Sequence, residues 1–145
     1  MKRLLLTAVA LLTLGSFGLA EEWLTHYTQA LAQAKAQQKA VLIDFTGSDW
    51  CGWCMKLDRE VFQKEEFKDY ASRKLVLLKA DFPRRKALPP AEQAQNEKLA
   101  AQYQIQGYPT IIVLTPNGAK AGELGYQPGG PRPFINAVER LTGAK

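Results

Sequence analysis

Cysteine and histidine are scarce in this chain: of 145 residues, two are cysteine and one is histidine. Two cysteines cannot build the several cross-links of a disulfide scaffold. A zinc site normally takes four ligands, and beside the cysteines only His26 offers a further one. Both cysteines fall in one stretch, Cys51-Gly52-Trp53-Cys54, so the thiols serve chemistry or metal rather than staple the fold. Internal repeats are also missing, and beyond residue 20 there is no long apolar run. With 46% hydrophobic and 23% charged residues, collagen, a disordered chain and a multi-span membrane protein are excluded, and one globular domain remains.

The first residues stand apart. Met1-Lys2-Arg3 is a short positive head, Leu4 to Ala20 is uncharged and mostly apolar, and Glu21-Glu22 follow the small-residue end Gly18-Leu19-Ala20. That is the layout of a secretory signal peptide over residues 1–20, with 21–145 as the working domain. An uncleaved anchor facing the exported compartment competes, since spanning takes roughly 17–25 residues. A buried core helix would need a polar face that this run lacks. No cysteine follows the small residues, which argues against a lipid anchor. Loss of Lys2 and Arg3 with the leader takes the formal net charge from +5 to +3. The remaining basic residues alternate with acids except at Arg84-Arg85-Lys86. This triplet reads as a solvated loop with no aromatic platform, so no nucleic-acid partner is expected.

Apolar spacing orders the elements. Trp23, Leu24, Tyr27, Leu31 and Ala34 recur by three and four, predicting an amphipathic helix over 23–38. Val41–Phe45 is a short β-forming run stopped by Thr46-Gly47-Ser48, a buried strand. Helices are expected from about Gly52 to Phe62 and over 64–72, followed by a second inner strand, Leu75–Ala80. Residues 82–90 hold three prolines and three basic residues and read as loop; 91–103 is helical in composition. Thr110–Leu114 is a third strand, Pro116-Asn117-Gly118 a hairpin turn, and 120–125 a fourth strand. Pro131–Leu141 closes the chain as a helix with Phe134, Ile135, Val138 and Leu141 on one side. Continuous apolar strands need cover on both faces, which alternating helices supply. The expected class is α/β: a central mixed sheet of about four strands flanked by helices, with a β–α–β half first and a hairpin plus helix second.

The cysteine motif follows a predicted strand and opens a predicted helix. Cys51 therefore falls at or beside the helix N-terminus, where free N–H groups and the positive end of the dipole favour a thiolate. The thiolate is the attacking species. Cys54, one turn on, is expected to be more buried than Cys51 and to resolve a mixed disulfide by attacking it. Other readings also fit two neighbouring thiols. They are half of a zinc site, a copper(I) carrier held by soft thiolates, and a structural disulfide, whose short loop would constrain the unfolded chain little. His26, alone on its helix, reads as a structural or surface residue.

The run Ile43-Asp44-Phe45-Thr46-Gly47-Ser48-Asp49-Trp50-Cys51-Gly52-Trp53-Cys54 resembles the active-site strand and turn of the thioredoxin superfamily. Gly107-Tyr108-Pro109-Thr110 resembles that superfamily's cis-proline loop. With the matching order of elements, the resemblance covers nearly all of 21–145. It points to secreted bacterial single-domain members with a Trp-Cys-x-x-Cys centre, related to periplasmic disulfide reductases and isomerases. It implies a thioredoxin fold, Cys51 as nucleophile, Cys54 as resolving cysteine, and a redox disulfide between the two. Asp44 matches the buried acid that exchanges a proton with the resolving cysteine. Pro109 matches the cis proline that packs against the disulfide and leaves a backbone edge for substrate. Trp50, Gly52, Trp53 and Tyr108 fall on the substrate-facing rim, and Gly125 on the last substrate-contacting loop. Lys79 is offset by two positions from the lysine that accompanies the buried acid in thioredoxin, so it is assigned no role. Trp53 stands where thioredoxin has proline and oxidising members have histidine, which implies a potential between roughly −270 and −120 mV.

The implied activity is a thiol–disulfide oxidoreductase that reduces or isomerises protein disulfides in an exported compartment, periplasmic or secreted. No cofactor and no stable metal are expected. The chain has no second cysteine pair, so a separate electron-donor protein must re-reduce it, a membrane thiol–disulfide transporter being one candidate. A copper(I) chaperone of the same fold is the alternative, though only Met55 adds a soft ligand beside the cysteines. A non-catalytic folding helper using the apolar rim is another.

Overall fold

The computed structural model describes residues 22–143, and the leader expected at 1–20 lies outside the described residues. The elements run α1 (Tyr27–Gln37), β1 (Ala40–Thr46), α2 (Gly52–Leu57) continuing into a π-helical turn (Asp58–Phe62), and α3 (Glu65–Lys74). They go on as β2 (Leu75–Asp81), α4 (Pro90–Gln102), β3 (Thr110–Leu114), β4 (Lys120–Leu124) and α5 (Pro131–Thr142). The strands form one sheet in the order β2-β1-β3-β4. β1 runs parallel to β2 and antiparallel to β3, and β3 pairs antiparallel with β4. This is the mixed four-strand sheet, covered by helices on both faces, that the apolar runs predict.

β1 is central, and every one of its residues is buried. Its side chains alternate between two cores. Val41, Ile43 and Phe45 join Val76, Leu78, Ile112 and Leu114 against Ala30 and Ala34 of α1, Leu99 of α4 and Tyr103 just after it. Ala40 and Leu42 join Leu75, Leu77, Ile111 and Val113 against Val61, Phe62, Phe67, Phe134 and Val138. Each large apolar side chain buried in this way stabilises the fold by roughly 1.5–3 kcal/mol. The same period puts Asp44 and Thr46 on this second face. Register sets Asp44 beside Lys79 of β2 and Ile111 of β3. A carboxylate thus occupies the next core position after Leu42.

Two expectations need correction. The first helix begins at Tyr27 rather than Trp23, because the edge of β2 takes the backbone of Leu24. Its N–H donates to Leu77 O at 2.9 Å, and its carbonyl accepts from Lys79 N–H at 2.9 Å. The helix after the cysteines is not regular to its end. Gln63 N–H reaches back five residues to Asp58 O at 2.9 Å, so the last turn is widened, with Val61 and Phe62 both buried. Such π turns concentrate near functional sites.

Candidate active site

The turn from β1 into α2 is held by main-chain bonds from Trp50 and Cys51 N–H to Gly47 O at 3.2 and 2.9 Å. Gly47 has no freedom to carry a side chain, since a Cβ there would collide with the Trp50 ring. Cys51 caps α2 with extended backbone, and its Sγ accepts the Cys54 N–H at 3.2 Å. Cys51 and Cys54 are joined in a disulfide with Cα atoms 5.2 Å apart, well within bridging range. The expected contrast in exposure is absent in this disulfide form: Cys51 is 6% exposed and Cys54 5%. Their surroundings separate them instead. Cys51 Sγ meets one N–H of the helix start, whereas Cys54 lines the cavity beneath.

Behind Cys54 lies a cavity of about 270 Å³, walled by Asp44, Thr46, Cys54, Asp58, Arg59 and Lys79 among others. Asp44 is buried, and its Oδ1 has no hydrogen-bond partner. Burial pushes its pKa from 3.8 up to about 7; the Lys79 charge opposes the rise, and Asp58 and Asp81 add to it. The structure therefore sets Lys79 beside Asp44 despite its offset in sequence. Its signal is the single charge in the apolar run Leu75–Ala80, on the same side as Leu75 and Leu77. Asp58 was also missed; it stands four residues after Cys54, hence on the same helical face.

The rim has two flanks. On one, half-buried Trp50 donates from Nε1 to Phe82 O at 2.7 Å. Tyr108 meets the Trp50 ring edge-on at 5.8 Å and Phe82 at 5.3 Å. The Tyr108–Pro109 bond is cis, and Thr110 pairs with Phe45, so this loop stands at the same end of the sheet as the cysteine turn. Arg84 lies over the Trp50 ring at 3.6 Å. The basic triplet thus has the aromatic platform that its own sequence lacks, because the platform comes from the cysteine turn. Asp49 accepts the main-chain N–H groups of Arg84 and Arg85 at 2.9 and 2.7 Å. These bonds, Arg84 first, hold its carboxyl below the usual range.

On the other flank, Trp53 is 57% exposed and packs against Tyr126, ring centroids 5.1 Å apart and tilted by 44°. Lys56 Nζ caps both rings at 5.0 and 5.2 Å, and Tyr126 Oη donates to Glu60 at 2.6 Å. Gly125 is exposed, with open space around a Cβ, and its neighbour Tyr126, which sequence reasoning missed, makes the contact to Trp53. Gly52 is likewise exposed and open. His26 is exposed ahead of α1, and its side chain makes no cap. Among the described residues no group of three or more His, Cys, Asp or Glu is arranged to hold a metal ion. Among the same residues no helix is long and apolar enough to cross a membrane.

A dithiol pair at the start of a helix, on a four-strand mixed sheet with an acid beneath it, defines a class: this chain is a thiol–disulfide oxidoreductase with a thioredoxin fold. The sequence model of the thioredoxin-like family matches residues 22–116, and the chain belongs to that family. It is 34% identical over 113 residues to the disulfide bond reductase DsbH of Chlamydia pneumoniae, covering 78% of this chain and 68% of that one. It is 32% identical over 111 residues to the thiol:disulfide interchange protein DsbD of Vibrio cholerae, but spans only 17% of that protein's length. A solved DsbH oxidoreductase superposes with a TM-score of 0.82 at 29% identity, covering 96% of both chains. A Thermus thermophilus thioredoxin, TM-score 0.63 at 18% identity over 85% of this chain and 88% of that one, shares the fold.

Proposed function

We propose that this chain reduces or isomerises protein disulfides in an exported compartment, with reduction favoured over net oxidation. The observation that carries this reading is the buried, unpartnered Oδ1 of Asp44 on the wall of the cavity that Cys54 shares. In the reduced protein the Cys51 thiolate, held by the Cys54 N–H and the helix start, attacks one sulfur of a substrate disulfide. That S–S bond breaks, the other substrate sulfur leaves as a thiolate, and a Cys51–substrate mixed disulfide forms. Cys54 then gives its proton to Asp44, directly or through water in the cavity. The Cys54 thiolate attacks Cys51 Sγ, and the second substrate thiol departs. Two electrons have passed to the substrate, and the Cys51–Cys54 disulfide remains. An acid poised near neutrality suits this proton transfer at physiological pH.

Trp50, Gly52, Trp53, Tyr108, Pro109 and Gly125 form the substrate-facing surface in this reading. Residues 1–20 act as the leader and 21–145 as the thioredoxin-like working domain. Similarity to the DsbD interchange protein supports a separate dithiol donor, a membrane thiol–disulfide transporter, that re-reduces the pair. The test is trapping: Cys54→Ser should accumulate mixed disulfides with protein partners, and Cys51→Ser should not. Equal trapping by the two variants would remove the nucleophile and resolving roles.

A further inference from the structure

The mechanism leaves unused the tight attachment of loop 82–89 to the cysteine turn. Phe82 N–H donates to Thr46 O at 2.8 Å, Trp50 Nε1 to Phe82 O at 2.7 Å, and Ser48 N–H to Asp81 at 2.9 Å. The Arg84 and Arg85 N–H groups occupy both oxygens of Asp49 at 2.9 and 2.7 Å. The loop therefore rides on the residues immediately ahead of Cys51, gripped through its main chain while its basic side chains stay exposed. Among the described residues, Lys86 pairs with Asp81 at 3.4 Å, whereas neither Arg84 nor Arg85 enters an ion pair. A guanidinium stacked on an indole keeps its in-plane N–H fork free for a carboxylate. The opposite flank differs, because there Lys56 is accompanied by Glu60 on Tyr126. Asp49 lies close enough to feel the Arg85 charge, but both its oxygens are taken by main-chain N–H groups, so beside Trp50 two guanidinium groups remain without an ion pair among the described residues.

We propose that Arg84 and Arg85 form an acid-reading flank of the disulfide, selecting protein substrates that carry Asp or Glu beside the cysteine to be attacked. The inference rests on the oxidoreductase reading above and names its substrate class. A substrate sulfur must meet Cys51 Sγ, so the neighbouring residues of an extended segment, spaced about 3.3 Å apart, pass over Trp50 and within reach of the fork. Both arginines are exposed, so salt weakens the attraction beyond a Debye length of about 8–10 Å. Because the loop is gripped through main-chain N–H groups, the side chains can be exchanged without loosening it.

The test uses the full chain with a chemical dithiol as donor and three disulfide-linked fluorogenic peptides, identical except for Glu, Gln or Lys beside the cysteine. At low salt, kcat/KM for the Glu peptide should exceed that for the Lys peptide by about fivefold, the scale of one or two exposed charge pairs. The ratio should fall towards one at high salt and invert in Arg84→Glu/Arg85→Glu; Arg84→Lys should keep part of it. Equal turnover of the Glu and Lys peptides by the wild type at low salt would overturn the acid-reading flank and leave the oxidoreductase reading intact. An equal fall on all three peptides in the double variant would make the arginines structural and also overturn it. Failure to turn over any peptide would overturn the proposed reduction of peptide and protein disulfides instead.

Discussion

The two faces of β1 are built from the same strand and end differently. On one, Val41, Ile43 and Phe45 stay apolar to the end and pack against α1, α4 and apolar loop residues such as Phe82 and Tyr108. On the other, Ala40 and Leu42 begin an equally dry core, but Asp44 and Thr46 follow under the cysteine helix. An apolar residue in place of Asp44 would bury more surface and leave no orphaned acceptor. The fold accepts a costly group at the one position of β1 that faces both Lys79 and the cavity of Cys54. The first face stays dry to its end, whereas the second gives up its last positions to the acid that the proposed proton transfer uses.

The sharpest test of that contrast is Phe45→Ala against changes at Asp44. Phe45 is fully buried and meets Phe82 and Tyr103, so its loss should destabilise the protein by about 3–5 kcal/mol in denaturant titrations. Asp44→Asn should do the opposite. The folded pKa of Asp44, about 7, lies above its ordinary 3.8, so the folded protein holds that proton more tightly than the unfolded chain. Stability therefore falls as pH rises from about 4 to 7, by up to on the order of 4 kcal/mol, and stays low above that range. The oxidised Asp44→Asn variant should be more stable than wild type at pH 8 and lose that advantage by pH 4; once reduced, the same variant should resolve mixed disulfides slowly. If it were destabilised at pH 8 to the degree of Phe45→Ala, the two faces would not differ as described.

Smaller effects refine the picture. Gly47→Ala should cost about 1–3 kcal/mol, the range of overpacking, because the Trp50 ring fills the space of its Cβ; the same variant should show altered tryptophan fluorescence. Trp53→Ala should change stability by less than about 0.5 kcal/mol, as an exposed substitution does, while raising KM for protein disulfides. Unchanged KM would mean that the exposed ring is not part of the substrate surface.

Much of this was legible beforehand. The strand runs, the hairpin at Pro116-Asn117-Gly118 and the cysteine motif at a helix start rest on neighbours in sequence, and they stand where expected. Trp23 and Leu24 misled because their helical spacing gives no sign that Leu24 completes the edge of β2. The equal burial of Cys51 and Cys54 was not legible either, since exposure depends on the rim that closes over a motif. Lys79, Arg84 and Tyr126 were passed over for one shared reason: each acquires its role from a residue far away along the chain.

By itself the sequence determined the order of helices and strands, the two-sided burial of the sheet and the dithiol chemistry, because apolar periodicity and a four-residue motif act over short distances. Tertiary structure alone decided the environment of that chemistry. Strand register set Lys79 beside Asp44, and folding laid Arg84 on Trp50 and Tyr126 on Trp53. The physical reason is that charge, burial and stacking depend on distance in space, and only the paired strands and the loops clamped at their ends bring these residues together.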